Sequence, residues 1–320
     1  MSGLALVTGA TGLIGRHLVE QLLAQGRAVR VLARAPERLG QTRARCEVLT
    51  GGLDRASLDR AVQGADLVFH LAACARAWSR NPDEFAEVNV RAVGHLLEAS
   101  RAARVRRLVH VSTVLALPAF QARVRSIPYV ETKLRGEALV NAYVASGGDA
   151  VIAHPTRVYG PGPLNDANGV TRLVAQCLTG PVVFTLDDAG VQANYVHAAD
   201  VAAGLLLAAE RGAPGAHVLL GGENSSVGDL LALVARIGRV RTRVVALPRT
   251  AALAVAHASL LWGRLGGTAL ITPAWVRTYL DDQRVDVGET CRTLGYRPRP
   301  LARGLEETIQ WLRPGLLAVS

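Results

Sequence analysis

The 320-residue sequence predicts an α/β fold built on a doubly wound parallel sheet. Three observations carry that prediction. Short apolar runs alternate with stretches of helical period through the first half of the chain. The first run passes into a helix through a glycine-rich turn. After residues 155–163, rich in Pro and Gly, the regular alternation stops. A smaller, discontinuous C-terminal region is therefore expected, with 1–155 and a returning stretch 190–221 set against 156–189 and 222–320.

Residues 4–7 form the first strand, and the following segment has apolar residues at 14, 18, 19, 22 and 23, the spacing of an amphipathic helix. Gly9, Gly12 and Gly15 lie in the turn between them. Unpaired N–H groups and the positive end of the helix dipole make such a turn a cradle for an anion. Glycine lets the backbone come close to a pyrophosphate. Residues 28–33 are the second strand, and Arg34 stands at its end, where a dinucleotide-binding fold meets the adenosine ribose. A carboxylate there would accept bonds from ribose hydroxyls, whereas an arginine would pair with a 2′-phosphate. NADP(H) is thus expected in preference to NAD(H), which stays possible, with Arg38 as a second contact. Otherwise Arg34 is one surface arginine among many.

A third strand at 46–50 leads to Asp54, placed to cap a helix beginning near Ser57. The run 66–73 is the fourth strand, with His70 as a structural residue and small residues at its end. A long helix at 84–103, a fifth strand at 106–111 and a sixth at 150–154 complete the first half. Beyond it come a helix at 170–178, short strands at 182–186 and 192–196, and a helix at 201–210 capped by Asp200. A last strand at 217–220 precedes closing helices at 227–237, 250–263 and 301–312.

Half of the residues are hydrophobic and 19% are charged, which excludes a disordered chain. The net charge of +10 comes from scattered arginines, and aromatics make up only 4% of the chain, so no nucleic-acid partner is expected. Cys46, Cys74, Cys177 and Cys291 have no metal-ligand spacing, which points to a reducing, cytoplasmic setting and no metal. No secretory leader is expected. The greasiest stretch, 251–262, is interrupted by His257 and is too short to span a bilayer. It reads as a core or lid helix, with an interfacial helix as the sharper alternative.

Tyr129 and Lys133 are four residues apart, hence on one helical face. A neighbouring ammonium is expected to lower the phenol's pKa and make it an acid/base near neutrality. Lys133 is the single lysine beside 35 arginines, which argues that this site needs a compact ammonium. Ser112 and Thr113 end the fifth strand, at the mouth of the sheet. A hydroxyl there could hold a substrate carbonyl against Tyr129, or merely end the strand.

Together these motifs resemble the extended short-chain dehydrogenase/reductases. TGATGLIG at 8–15, HLAA at 70–73, Ser112-Thr113 and YVETK at 129–133 match that family's pattern in order, and the resemblance covers essentially the whole chain. It implies a Rossmann fold with a C-terminal substrate-binding region. Carried over by position, Thr113, Tyr129 and Lys133 are catalytic. Gly9, Thr11, Gly12, Leu13, Ile14 and Gly15 hold the phosphates, Arg34 and Arg38 the 2′-phosphate, and Leu53 and Asp54 lie beside the adenine. Leu71, Ala72, Ala73, Ser112, Pro155 and Val158, with Tyr129 and Lys133, complete the cofactor site. Trp78, Thr113, Tyr159 and Asn194 face the substrate, while Asn89, His197 and Asp200 give structural support. A homodimer is a family expectation.

Two departures stand out. His154 occupies a position where many members have arginine, and sixteen positions separate Thr113 from Tyr129, which predicts a short loop and an open pocket. Trp78 and the apolar C-terminal helix are similar to the branch near 3β-hydroxysteroid dehydrogenases, dihydroflavonol reductases and hopanoid-associated epimerase-like proteins. The implied activity is NADP(H)-dependent interconversion of a ketone and a secondary alcohol on a largely apolar small molecule. The alternative is a nucleotide-sugar epimerase or dehydratase, which Arg172, Arg243 and Arg277 keep open.

Overall fold

The computed structural model describes residues 3–124, 127–165, 168–186 and 190–317. β1 (Leu4–Thr8) is a Leu/Ala/Val run whose inner residues are fully buried, as a central strand covered on both faces requires. α1 (Leu13–Ala24) buries Leu18, Val19 and Leu22 on one stripe. There follow β2 (Val29–Ala33), a 3₁₀ segment Pro36–Arg45, β3 (Glu47–Thr50), α2 (Arg55–Ala61) and β4 (Ala65–His70). The predicted helix at 84–103 is broken in two. α3 (Asp83–Ala86) and α4 (Ala92–Ala102) are joined by a π turn at Glu87–Arg91. The turn carries Asn89 inward, where Nδ2 donates to Thr132 Oγ1 (3.0 Å) and to Cys74 O (3.1 Å) and Oδ1 accepts from Cys74 N (2.9 Å).

β5 (Arg107–Val111), α5 (Pro118–Val124), α6 (Pro128–Ala145) and β6 (Ala150–Pro155) complete the first half. The second half contains β7 (Arg157–Tyr159), α7 (Gly169–Thr179), β8 (Val182–Leu186), β9 (Gln192–His197), α8 (Ala198–Arg211), β10 (His217–Leu220) and β11 (Glu223–Ser226). It ends with α9 (Val227–Gly238), β12 (Arg243–Leu247), α10 (Arg249–Arg264), α11 (Pro273–Tyr279), α12 (Gly288–Leu294) and α13 (Leu301–Leu317).

Seven strands form one sheet in the order β10-β6-β5-β4-β1-β2-β3, every neighbouring pair parallel. α1 and α8 cover one face through Leu18, Leu22, Val201 and Leu205. α2, α4 and α6 cover the other through Leu58, Leu96 and Val140. This is the Rossmann α/β fold that the alternation predicts. Chain progression reverses at β1, between β2 and β4, and ligands of such sheets bind at the strand ends beside that reversal. A second core joins α7, α9 and α13 through Val174, Leu231, Leu305 and Ile309.

Two expectations are corrected. Of the stretch 190–221, β10 rejoins the large sheet, but β9 pairs with β7 and β11 in a separate three-stranded sheet. Asp200 does not cap its helix. α8 starts three residues earlier than expected, at Ala198, and His197 Nδ1 accepts from Ala199 N (3.2 Å). The Asp200 carboxylate instead receives the Arg299 Nε (3.0 Å) and backbone N (3.0 Å), which ties the approach to α13 onto α8.

Candidate active site

The C-terminal ends of the strands open into a cleft of about 1800 Å³. Gly9, Gly12 and Gly15 lie along one wall, and their roles differ. Gly9 has φ +76°, and a Cβ on it would stand 2.6 Å from Ala72 N at the end of β4. A Cβ on Gly15 would press into Gly9 O and lie 2.7 Å from Ala10 Cα. These two glycines therefore let the turn fold against itself and the sheet. Gly12 is the N-cap of α1, provides no side-chain cap, and a Cβ there would meet only Gly9 O at 3.2 Å. The uncapped amides at the start of α1 suit the phosphates of a dinucleotide. Arg34 and Arg38 are exposed on the same cleft, past the end of β2, and neither side chain is in a salt bridge among the described residues. A dinucleotide carrier fits this wall.

Thr11, Leu13, Ile14, Leu53, Leu71, Ala72, Ala73, Trp78, Ser112, Thr113, Tyr129, Lys133, Pro155 and Val158 also line the cleft. Three predicted site residues do not. Asp54 accepts from Ser57 N (2.9 Å) as the cap of α2. Tyr159 is 1% exposed, with its hydroxyl donating to Leu301 O (3.4 Å), and belongs to the second core. Asn194, also 1% exposed, receives Gly222 N (2.7 Å) and Thr156 Oγ1 (2.9 Å), bracing the loop before β11. His70 is buried, its Nδ1 paired with Thr8 Oγ1 at 2.7 Å and its ring stacked on His110, and burial holds its pKa down at about 3.

Tyr129 and Lys133 both reach the cleft from α6, but not as an ammonium–phenol couple. The Thr113 side chain is the polar neighbour of the Tyr129 hydroxyl. Burial raises its pKa to about 12, partly offset by Thr113, so the expected lowering by Lys133 is not what this geometry gives. Lys133 is 2% exposed and donates to Val111 O at 2.6 Å. Burial lowers its pKa to about 8, while the charge of Glu137 works the other way.

Glu137 was not visible as a site residue, although the spacing 129, 133, 137 places it on the same helical stripe. It accepts from Ser112 Oγ, and burial raises its pKa to about 6. His154, the departure from the family pattern, lies beside it at 3.7 Å. A carbonyl can only accept, so His154 Nδ1 donates to Thr113 O (3.0 Å) and Nε2 accepts from His217 Nδ1 (2.9 Å). His154 thus pins the backbone of Thr113. Glu137, His154 and His217 could present donors to a metal within 4.8 Å of one another, but both His154 nitrogens already have these partners. Trp275 is the other residue missed by sequence reasoning. Its ring stacks on Tyr129 with centroids 6.3 Å apart and is followed by Tyr279 at 5.9 Å. The segment between Thr113 and Tyr129 is not an open loop. It holds α5 and a local core of Val114, Leu115, Phe120, Val124 and Ile127.

Lys133 loses its ammonium as pH rises through about 8, and Glu137 is ionised above about 6. Replacing Glu137 by glutamine removes the charge that raises Lys133. The alkaline limb of kcat/KM is expected to move to lower pH in that variant. A limb that stays in place would disconnect Lys133 from Glu137.

A family model for the NAD dependent epimerase/dehydratase family matches residues 5–221, about two thirds of the chain and all seven strands of the large sheet. The chain belongs to the NAD dependent epimerase/dehydratase family. It is an NAD(P)-dependent enzyme of the extended short-chain dehydrogenase/reductase type. Relatives in the NAD dependent epimerase/dehydratase family differ in chemistry. A 4-hydroxy-2-methyl-3-oxo-4-farnesyl-3,4-dihydroquinoline-1-oxide ketoreductase of Stigmatella aurantiaca is 31% identical over 92% of this chain and 91% of its own. The crystal structure of gox2253 is 27% identical and superposes with a TM-score of 0.79 over 98% of this chain and 99% of that one. MoeE5 in complex with UDP-glucuronic acid and NAD is also 27% identical, with a TM-score of 0.76 over 98% of this chain and 100% of that one. No described helix is long and apolar enough to cross a membrane.

Proposed function

We propose that the protein is an NADP(H)-dependent reductase, or the reverse dehydrogenase, interconverting a ketone and a secondary alcohol on a largely apolar small molecule. The observation that carries this reading is the Thr113–Tyr129 pair set against the Trp275 ring, in a cleft whose far side is lined by Phe184, Leu247, Val255, Leu270 and Ile271. The 31% identical ketoreductase, named for a farnesylated quinoline, supports the same substrate class.

A bound nicotinamide supplies or accepts the hydride. Tyr129 gives the proton to the carbonyl oxygen. With a pKa near 12 it remains protonated at neutral pH, which suits the direction of reduction. Thr113, its backbone fixed by His154, presents a hydroxyl to the same oxygen. Lys133 keeps a cation under the strand end through Val111 O, and Glu137 supports that charge.

Arg34 is the basis for NADP(H). Replacing Arg34 by aspartate is expected to lower the ratio of kcat/KM for NADPH over NADH by about tenfold or more, because a paired 2′-phosphate loses its partner and faces a carboxylate. An unchanged ratio would remove the preference. The substrate class is tested by following reduced-cofactor absorbance with a panel of apolar ketones and nucleotide sugars.

A second reading, a nucleotide-sugar epimerase or dehydratase with tightly bound cofactor, has one observation in its favour. Arg172 lines the cleft together with Arg157, and the MoeE5 structure holds a UDP-sugar. Arg243 and Arg277 do not line it. That reading requires turnover of a UDP-sugar with no net consumption of NAD(P)H.

A further inference from the structure

Helix α10 is apolar on two opposite sides. Its inner side is narrow and small, with Ala252, Ala256 and Gly263 buried against the body. Its outer side carries Val255 (57% exposed), Leu261 (57%), Trp262 (64%) and, one residue past the end, Leu265 (74%). A helix apolar all round is ordinarily enclosed, so this outer stripe lacks a cover. The stretch of chain that contains α10 carries charge of one sign. Between Asp229 and Asp281 the sequence has seven arginines, at 236, 239, 241, 243, 249, 264 and 277, and neither Asp nor Glu. All seven are exposed, and none is in a salt bridge among the described residues. Arg249 and Arg264 stand at the two ends of α10, and Arg80 adds a further cation by donating to Gly266 O just beyond it.

We propose that the outer face of α10 docks flat on an anionic lipid surface. A 16-residue helix is about 24 Å long. Lying in the interface, it would bury Val255, Leu261, Trp262 and Leu265 among the acyl chains while Arg249 and Arg264 pair with headgroup phosphates. The indole of Trp262 suits the headgroup boundary. An acidic protein partner would satisfy the arginines but not the flat apolar stripe, and a second copy of this chain would bring arginines against arginines. Val255 and Leu270 are at once exposed and part of the cleft lining. The cleft therefore opens beside the docked helix, so an apolar substrate can pass from the bilayer without crossing water. That last step rests on the proposed function, whereas the docking does not.

Flotation of the purified protein with vesicles tests it, using phosphatidylcholine alone against phosphatidylcholine with about one-third phosphatidylglycerol. The expected result is at least about tenfold more protein on the anionic vesicles, released as salt rises from about 0.05 to 0.5 M. Two double variants outside the cleft lining, Trp262→Ser with Leu265→Ser and Arg249→Gln with Arg264→Gln, should each lower binding about tenfold while melting temperature and NADPH affinity stay unchanged. Equal binding to both vesicles, no binding, or an unaltered Trp262/Leu265 variant overturns the proposal. So does a wild-type dimer that the Trp262/Leu265 variant splits into monomers without any vesicle binding. Flotation without ketone reduction upholds the docking and removes the substrate reading, and ketone reduction without flotation does the reverse.

Discussion

Replacement of Tyr129 by phenylalanine is expected to lower kcat by about 10²–10⁴-fold, the range a positioned general acid contributes. The change removes one oxygen and keeps the ring that stacks on Trp275, so fold and cleft shape should persist. Binding of NADPH, measured by fluorescence titration, should stay within about threefold of wild type, because the phosphate wall is built from another part of the chain. Thr113→Val should show a smaller loss, since it takes the hydroxyl from beside Tyr129 and leaves the proton donor in place. Turnover in the phenylalanine variant close to wild type would show that some other group donates the proton.

The second large effect concerns stability. Gly15→Val is expected to destabilise the fold by about 3 kcal/mol or more, lowering the melting temperature by roughly 5–10 °C. Its Cβ would meet the backbone of Gly9 and Ala10, neither of which can rotate away. Gly12→Ala is the informative partner. Gly12 has the ordinary extended conformation of φ −79° and ψ 177°, and an added Cβ has room apart from Gly9 O. Melting without cofactor should therefore change little, while affinity for the dinucleotide should fall about tenfold. A Gly15→Val protein that melts like wild type would contradict the packing role of the third glycine.

The sheet was legible because its strands are short apolar runs separated by helices of the right period, and each was found within a residue or two of its place except the fourth, which ends at His70 rather than at 73. Register-breaking features were not. The π turn at Glu87–Arg91 adds no unusual residue, so periodicity over 84–103 reads as one helix. β9 resembles any short apolar strand, and only its partners reveal that it lies in the small sheet. At the site, the lone lysine and the 129/133 spacing located the correct stripe of α6. They gave the wrong sign for the Tyr129 shift, because burial of the phenol outweighs any cation and Lys133 is turned to Val111 O, neither of which the spacing shows. Trp275 was hidden for the same reason: it lies 146 positions along the chain from the tyrosine it covers. Asn194 and Tyr159 look like pocket residues as letters, yet both are enclosed, with hydrogen bonds to backbone.

The four tryptophans fall into two optical groups. Trp78, Trp275 and Trp311 line the cleft, while Trp262 stands outside it on the outer face of α10. Reduced nicotinamide absorbs where indole emits, so occupancy of the cleft should quench the first group by energy transfer. Passage of Trp262 into a less polar medium should shift its emission to the blue and leave the others unchanged. One unlabelled sample thus carries separate native reporters for its interior and its outer surface, and a Trp262→Phe variant would silence one and spare the other.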